Sequence, residues 1–507
     1  MTLDQRQVPY FDAWLAYRTS GIVAYSTPGH KRGRGAPREF IDAVGTGFLG
    51  LDIPHGGGVD DTHLSGGYLE QAERLAADAW GADHATFLVN GSTTGNQAFL
   101  LATCQPGDEV IVARNLHKSL LAGLILSGAT PVYVFPAVDP QHNLSLNVGL
   151  DEVHCALTEH PNAKAVILVS PAYTGVSSDL PAIAALCRER DVPLLVDEAW
   201  GPHFPFHPDL PPSAMQVGAS GAVTSIHKLL PGFTQASLLM LKGPLVDVGV
   251  FGSTVSMLQT TSPAAYIHAS IDAVRRQMAL CGEEMLSRTL ELSALARHAI
   301  GQIPGITVIG PEVIANRPGA GFDPTRLLVD VHGLGLTGYQ AETILRDEYR
   351  VGVEMSDLVS VIAMLSVADD RETVDHLVAG FRGLSTHAQP ASNDGASLRS
   401  SGTVILSDER AMTPREAVMS QIETVSMTQA EGRVSAEIIT PYPPGIPVIA
   451  PGEVISREIV DYLRFGLVNG MYISGPADPS LQTVRVVAQR IAGGRSIIDP
   501  AQGKECY

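Results

Sequence analysis

Between about Leu69 and Leu241, short apolar runs rich in β-branched residues recur between longer stretches with helical spacing. The runs are ATFLVN (85–90), EVIVA (109–113), TPVYVF (130–135), AVILVS (165–170), PLLVD (193–197) and AVTSI (222–226). NQAFLLATC and LPAIAALCRERD are among the helical segments between them. Strand, helix, strand at this spacing requires crossover connections and predicts a mostly parallel sheet covered on both faces. A long helical pattern over about 264–300 then leads to a smaller α/β unit, with strands near ITVIG and RLLVDV and a helix at GYQAETILRDEY. Five segments are expected: an N-terminal arm (1–45), a large α/β domain (46–290), a small α/β domain (291–384), a linker (385–402) and a C-terminal α+β domain (403–507). The arm joins a short helical pattern to the Gly- and Arg-rich TPGHKRGRG. The linker is polar and poor in large apolar side chains, and the last unit carries the turn-rich PYPPGIPVIAPGE. No internal repeat is visible.

Composition narrows the classes. At 507 residues the chain exceeds one ordinary core, and 45% apolar with 17% charged residues argues against global disorder. A formal charge of -19 disfavours nucleic acid and anionic membrane as partners and is compatible with a cationic substrate. Cys104, Cys155, Cys187, Cys281 and Cys506 form no CxxC, which reads as reduced thiols. The N-terminus lacks a basic-then-apolar signal pattern, and no apolar run reaches the roughly 18 residues a membrane helix needs. A cytoplasmic location is expected.

Four segments carry the chemistry, each at a predicted strand end. Asn90-Gly91-Ser92-Thr93-Thr94-Gly95-Asn96 lies between a strand and a helix. Small hydroxylic residues there leave N–H groups and the helix dipole open to a phosphate; an ordinary N-cap with a glycine turn is the plainer reading. His117, in RNLHKS, follows EVIVA, where open α/β sheets bind ligands; alone it also fits a satisfied histidine. Asp197 ends PLLVD, where a carboxylate can face a pyridine nitrogen and hold it protonated; a metal ligand or a loop cap is the alternative. Lys228, in SIHK, is flanked by AVTSI and LLPGF. Desolvation in such surroundings lowers an amine's proton affinity and favours attack on an aldehyde, whereas a surface lysine would sit uneasily there. A phosphate cradle, a pyridinium acid and an imine-forming lysine together are the requirements of pyridoxal phosphate (PLP). No metal site is expected.

These residues also carry a resemblance. TPGHKRG, NGSTTGN, RNLHKS, VDEAWGPH, SIHKLLPGFTQAS, QTTSP, VGVEMSD and PYPPGIPVIAPGE resemble the bacterial ornithine/lysine/arginine decarboxylases, fold-type-I PLP enzymes, over nearly the whole chain. The resemblance implies that Ser92, Thr93 and Thr94 bind the phosphate with Ser225 and His227, and that His117 stacks on the pyridine ring. It implies that Asp197 pairs with the ring nitrogen with Trp200 beside it, and that Lys228 forms the imine. Thr261 and Ser262 would reach the partner subunit's phosphate, and Glu354 would face the substrate's distal cation. A homodimer or higher homo-oligomer is implied, as is the short form without the N-terminal wing domain of the large members. LDIPHGGGVDDTHLSGGYLEQA follows the family pattern only loosely.

The implied reaction is decarboxylation of arginine, lysine or ornithine. A protonated ring held by Asp197 acts as the electron sink, and a proton returns to the α-carbon from Lys228 or His227. An acid at the far end of the pocket would select a basic side chain. The first alternative is another fold-type-I activity: an aminotransferase, a lyase or an aldolase. Such an enzyme usually holds the α-carboxylate with a small-domain arginine, for which Arg326 and Arg346 are the candidates. A non-catalytic scaffold is the second alternative, and the presence of both Lys228 and Asp197 argues against it.

Overall fold

The computed structural model describes residues 3–55, 59–60, 67–139, 141–142, 144–389, 409–442 and 445–489. Seven strands form the central sheet: β1 (His84–Leu88), β2 (Glu109–Ala113), β3 (Thr130–Val134), β4 (Val166–Val169), β5 (Leu194–Asp197), β6 (Gly221–Thr224) and β7 (Ser237–Leu241). Their order is β1-β7-β6-β5-β4-β2-β3. The run from β6 to β3 is parallel, and β7 alone runs against the other six strands.

Successive side chains on a strand face opposite ways, so the near-continuous apolar runs supply two cores. Ile111, Val166, Leu168, Leu194 and Val196 join one core, and Val110, Val112, Ile167 and Leu195 join the other. The 37-residue helix Ala265–Gly301 closely matches the pattern expected over 264–300 and leaves the large sheet for the smaller one. That second sheet orders β8 (Thr307–Ile309), β9 (Arg326–Asp330), β11 (Ser360–Met364) and β10 (Met355–Ser356), all antiparallel. It is backed by the helices Gly338–Tyr349 and Arg371–Leu384, on a core of its own.

Near the chain's end, β12 (Ile422–Ser426) pairs with β13 (Thr483–Val487), and the helix Arg457–Val468 packs with them on a further core. The expected linker lies outside the described residues beyond Gln389, as do 56–58 and 61–66 of the glycine-rich segment. One small cluster matters for function. Tyr173, Leu328 and Met355, with Trp200 and Ile446 against them, bring the large-sheet, small-sheet and C-terminal parts of the chain to one junction.

Candidate active site

The C-terminal ends of β2, β5 and β6, with the turn after β1, open onto a single cavity of about 310 Å³. This is the edge at which open α/β sheets take ligands. The helix that follows β1, Gly91–Thr103, starts without a side-chain cap, so its dipole and the N–H groups that follow Gly91 face the cavity side open to an anion. Close packing brings its start to the sheet: a Cβ on Gly95 would lie 2.5 Å from Val223 Cγ2. Ser92 Oγ meets Ser225 Oγ at 2.8 Å, joining the turn after β1 to the one after β6. Gln235 holds a left-handed φ of 79°, and its carbonyl accepts the Gly91 N–H at 2.9 Å. Few side chains adopt that conformation, so the loop facing the helix start is locally strained.

Asp197 is 3% exposed. Its Oδ2 accepts the Asn96 Nδ2–H at 2.6 Å and its Oδ1 the Ala199 N–H at 3.1 Å. Among the described residues it has no ion pair. A buried carboxylate that lacks a counter-cation suits a ligand that brings one. His117 caps the helix Lys118–Ser127, its Nδ1 accepting the Ser119 N–H at 3.2 Å. Burial depresses it to about 4, the Asp197 charge opposing, so the ring is neutral and apolar enough to stack. His227 is also pushed down, chiefly by burial, with its Nδ1 2.9 Å from the Ala236 carbonyl oxygen. Lys228 lies in a short helical turn, Ile226–Leu229. Burial brings its amine down to about 8, against the pull of Asp197; Arg326 lowers it further and Glu354 raises it. Its Nζ is 3.6 Å from the centre of the Trp200 ring.

Ser92, Thr93, His117, Asp197, Trp200, Ser225, His227, Lys228 and Glu354 therefore line one cavity. Thr94 does not: it is fully buried, its Oγ1 facing the Asn90 amide at 3.4 Å. Thr261 and Ser262 lie exposed on the segment after the helix Val248–Leu258, outside this wall. Arg326 is also absent from the wall. It is fully buried, donates to the Trp200 carbonyl at 3.0 Å and faces Asp323 at 3.7 Å. Arg346 is exposed and paired with its neighbour Asp347. Neither arginine is presented for an α-carboxylate.

Sequence reasoning missed several residues here. Asn96 holds Asp197, Tyr173 lines the cavity, and Tyr442 and Ile446 reach it from the C-terminal unit. Asn96 stands four positions past Ser92, on the same helical face, and that spacing was its only signal. A buried carboxylate with no ion pair among the described residues, a helix start and a desolvated lysine on one wall fit PLP. Asp197 would face its ring nitrogen, Ser92, Thr93 and Ser225 its phosphate, and Lys228 its aldehyde carbon.

Comparison with known proteins agrees. Residues 8–373 match the family described as Orn/Lys/Arg decarboxylase, major domain, and residues 402–469 match its C-terminal domain. The chain is 37% identical to an arginine decarboxylase of Bacillus subtilis (strain 168), over 97% of this chain and 100% of that one. It is 26% identical to the lysine decarboxylase LdcA of Pseudomonas aeruginosa, over 90% of this chain and 75% of that one. Among solved structures, the lysine decarboxylase LdcF of Francisella novicida superposes with a TM-score of 0.79 at 21% identity, covering 95% of this chain and 81% of that one. The chain belongs to the ornithine/lysine/arginine decarboxylase family, PLP-dependent amino-acid decarboxylases of fold type I.

Proposed function

We propose that this enzyme decarboxylates L-arginine, with Lys228 as the imine-forming lysine and Glu354 as the acid that reads the guanidinium. The observation that carries the catalytic reading is the shared cavity wall of the desolvated Lys228 amine and the buried Asp197 carboxylate, which has no ion pair among the described residues. Arginine is favoured by the relatives: the arginine decarboxylase stands at 37% identity and the lysine decarboxylase at 26%. Glu354 lies at the exposed rim, pushed above the usual carboxylate range by burial and pulled back by Arg326 and Lys228.

Bound PLP supplies an electron sink for the bond to the leaving carboxylate. The rest falls to the chain. Asp197, fixed by Asn96 and Ala199, would keep a proton on the cofactor's ring nitrogen. Neutral His117, on the same wall, would lie against the cofactor ring without adding charge. The helix start at Gly91, with Ser92 and Ser225, would anchor the phosphate. Lys228, near neutrality at about 8, can both lose a proton and return one. Among the described residues no arginine lines the cavity wall, where an aminotransferase would hold the substrate carboxylate.

The protein is proposed to act in the cytoplasm as a homodimer, Thr261 and Ser262 completing the partner's phosphate site. Their exposure supports this. Among the described residues no helix is long and apolar enough to cross a membrane. Parallel incubation with arginine, lysine and ornithine, with analysis of the amines formed, tests the substrate. Equal or greater turnover of lysine or ornithine would overturn the arginine assignment. Sedimentation as a monomer at working concentration would remove the dimer.

A further inference from the structure

Arg326 is an arginine that the reaction as described above does not use, yet it is fully buried beside the cavity. Its Cζ lies 4.6 Å from the centre of the Trp200 ring, the ring whose centre is 3.6 Å from Lys228 Nζ. The same guanidinium donates to the Trp200 carbonyl at 3.0 Å, so one side chain from β9 holds both the indole and its backbone. Asp323 anchors Arg326 from 3.7 Å and also faces His203 Nε2 at 3.3 Å. Thr325 fixes Asp323 in turn, through its N–H at 2.9 Å and its hydroxyl at 2.7 Å. Trp200 is thus tied to the small sheet, while Lys228 rises to it from the large one.

We propose that Arg326 is a positioning residue that, through the Trp200 indole, berths the free amine of Lys228 and opposes its protonation. The free amine is the form Lys228 takes once the substrate's amino nitrogen has replaced it on the cofactor's aldehyde carbon. When the substrate loses carbon dioxide, the α-carbon takes up one proton. Lys228 as an ammonium gives that proton and becomes a neutral amine. An aromatic face favours the ammonium and a nearby guanidinium disfavours it. Trp200 and Arg326 therefore pull in opposite directions on one group, which leaves it able to exchange a proton near neutral pH. The other charged or titratable groups that face the amine are Asp197 and Glu354, which favour the ammonium, with His117 and His227 on the cavity wall. Burial remains the largest influence on the amine, and Arg326 is the cation that adds to it.

The inference rests on Lys228 being the imine-forming lysine, so borohydride reduction and peptide mapping of the holoenzyme come first. Label on a different lysine would defeat the functional reading itself, independently of Arg326. With Lys228 labelled, the holoenzyme and its Arg326→Met, Arg326→Lys and Trp200→Leu variants are saturated with L-arginine methyl ester. This ester displaces Lys228 but cannot lose its blocked carboxylate. The cofactor's absorbance is then titrated with pH, alongside the alkaline limb of kcat for arginine. Arg326→Met is expected to move both midpoints up by roughly 0.5–1.5 pH units. Arg326→Lys should restore them, and Trp200→Leu should move them down. A purely structural Arg326 would lower melting temperature or cofactor content and leave the midpoints in place, and that result overturns the proposal. Should Arg326→Met fail to fold, Trp200→Leu decides alone, and an unmoved or raised midpoint overturns the proposal equally.

Discussion

Glu354 and Glu198 are both carboxylic acids that burial holds above the usual range, but their surroundings give them different work. Glu354 faces a cavity and the cations Lys228 and Arg326. A charge-assisted hydrogen bond to a guanidinium contributes about 1.5–3 kcal/mol. Glu354→Gln should therefore lower kcat/KM for arginine by roughly 10- to 150-fold. PLP loading and the cofactor spectrum should stay as they were, and steady-state kinetics with an absorbance scan check both. Unchanged kcat/KM would mean another acid reads the side chain. Asp357 and Glu453, the next acids to consider, are already engaged. Asp357 accepts the Val359 and Ser360 N–H groups at 2.8 and 2.7 Å, and Glu453 pairs with Arg114 at 2.8 Å. Glu198 does not line that cavity. Its Oε1 accepts the Ala214 N–H at 2.7 Å and its Oε2 has no hydrogen-bond partner among the described residues, so full burial pushes it up to about 8. Between about 4.5 and 8 the folded protein holds a proton that the unfolded chain has released. Glu198 thus makes stability fall as pH rises through that window. Glu198→Gln keeps the acceptor and removes the ionisation. Its melting temperature should gain on the parent steadily from pH 5 to pH 8, and a constant difference would show that Glu198 ionises normally.

At the scale of elements, the start of the helix Gly91–Thr103 is set by one contact. A Cβ at residue 95 would meet Val223 Cγ2 at 2.5 Å and Leu88 Cδ1 at 3.2 Å. Gly95→Ala should cost about 1–3 kcal/mol of stability. It should also weaken PLP binding, because the helix start must move away from Ser225; urea unfolding and a cofactor titration read the two effects separately. The runs that form β1 to β6 were legible because each is short, apolar and bounded by turn residues. The same reading missed β7. SLLML follows the turn-rich PGFTQA, but its uniformly apolar residues carry no period that separates a strand from a helix. It is the strand that breaks the parallel run, and pairing direction is set by which edge is free, a property of the assembled sheet. Lys228 and Asp197 were legible for a related reason: strand ends of an α/β sheet share one edge. Thr94 was not, since a run of two threonines at a helix start can present only one of them to the cavity.

At the scale of the whole molecule, the cavity is closed by residues from the chain's far end. Arg114 follows β2, is 1% exposed, and donates from Nε to Glu453 Oε1 at 2.9 Å and from Nη2 to Oε2 at 2.8 Å. It also donates to the carbonyls of Pro447 and Val448 at 2.7 and 3.2 Å. That clamp fixes the segment carrying Tyr442 and Ile446, with Gly445 close to His117. Nothing in the sequence pairs Arg114 with Glu453, because a contact of such separation leaves no periodic trace. Glu453→Gln would leave a guanidinium buried without its carboxylate, which costs roughly 3–5 kcal/mol. Hydrogen exchange should then rise first across 445–455, with β4 and β5 still protected; unchanged protection there would mean that the segment is held by its apolar contacts alone.

Glu453 lies 339 residues after Arg114, and this distance matters on the ribosome. A chain emerging at about 5–20 residues per second leaves Arg114 without its counter-charge for roughly 20–70 s. During that interval the nascent large sheet already contains Asp197 and Lys228, but one wall of the pocket is missing and a cation sits at the open end of β2. The growing polypeptide is therefore an incomplete catalyst until its last segment docks, and the order of synthesis itself sets when the pocket first closes.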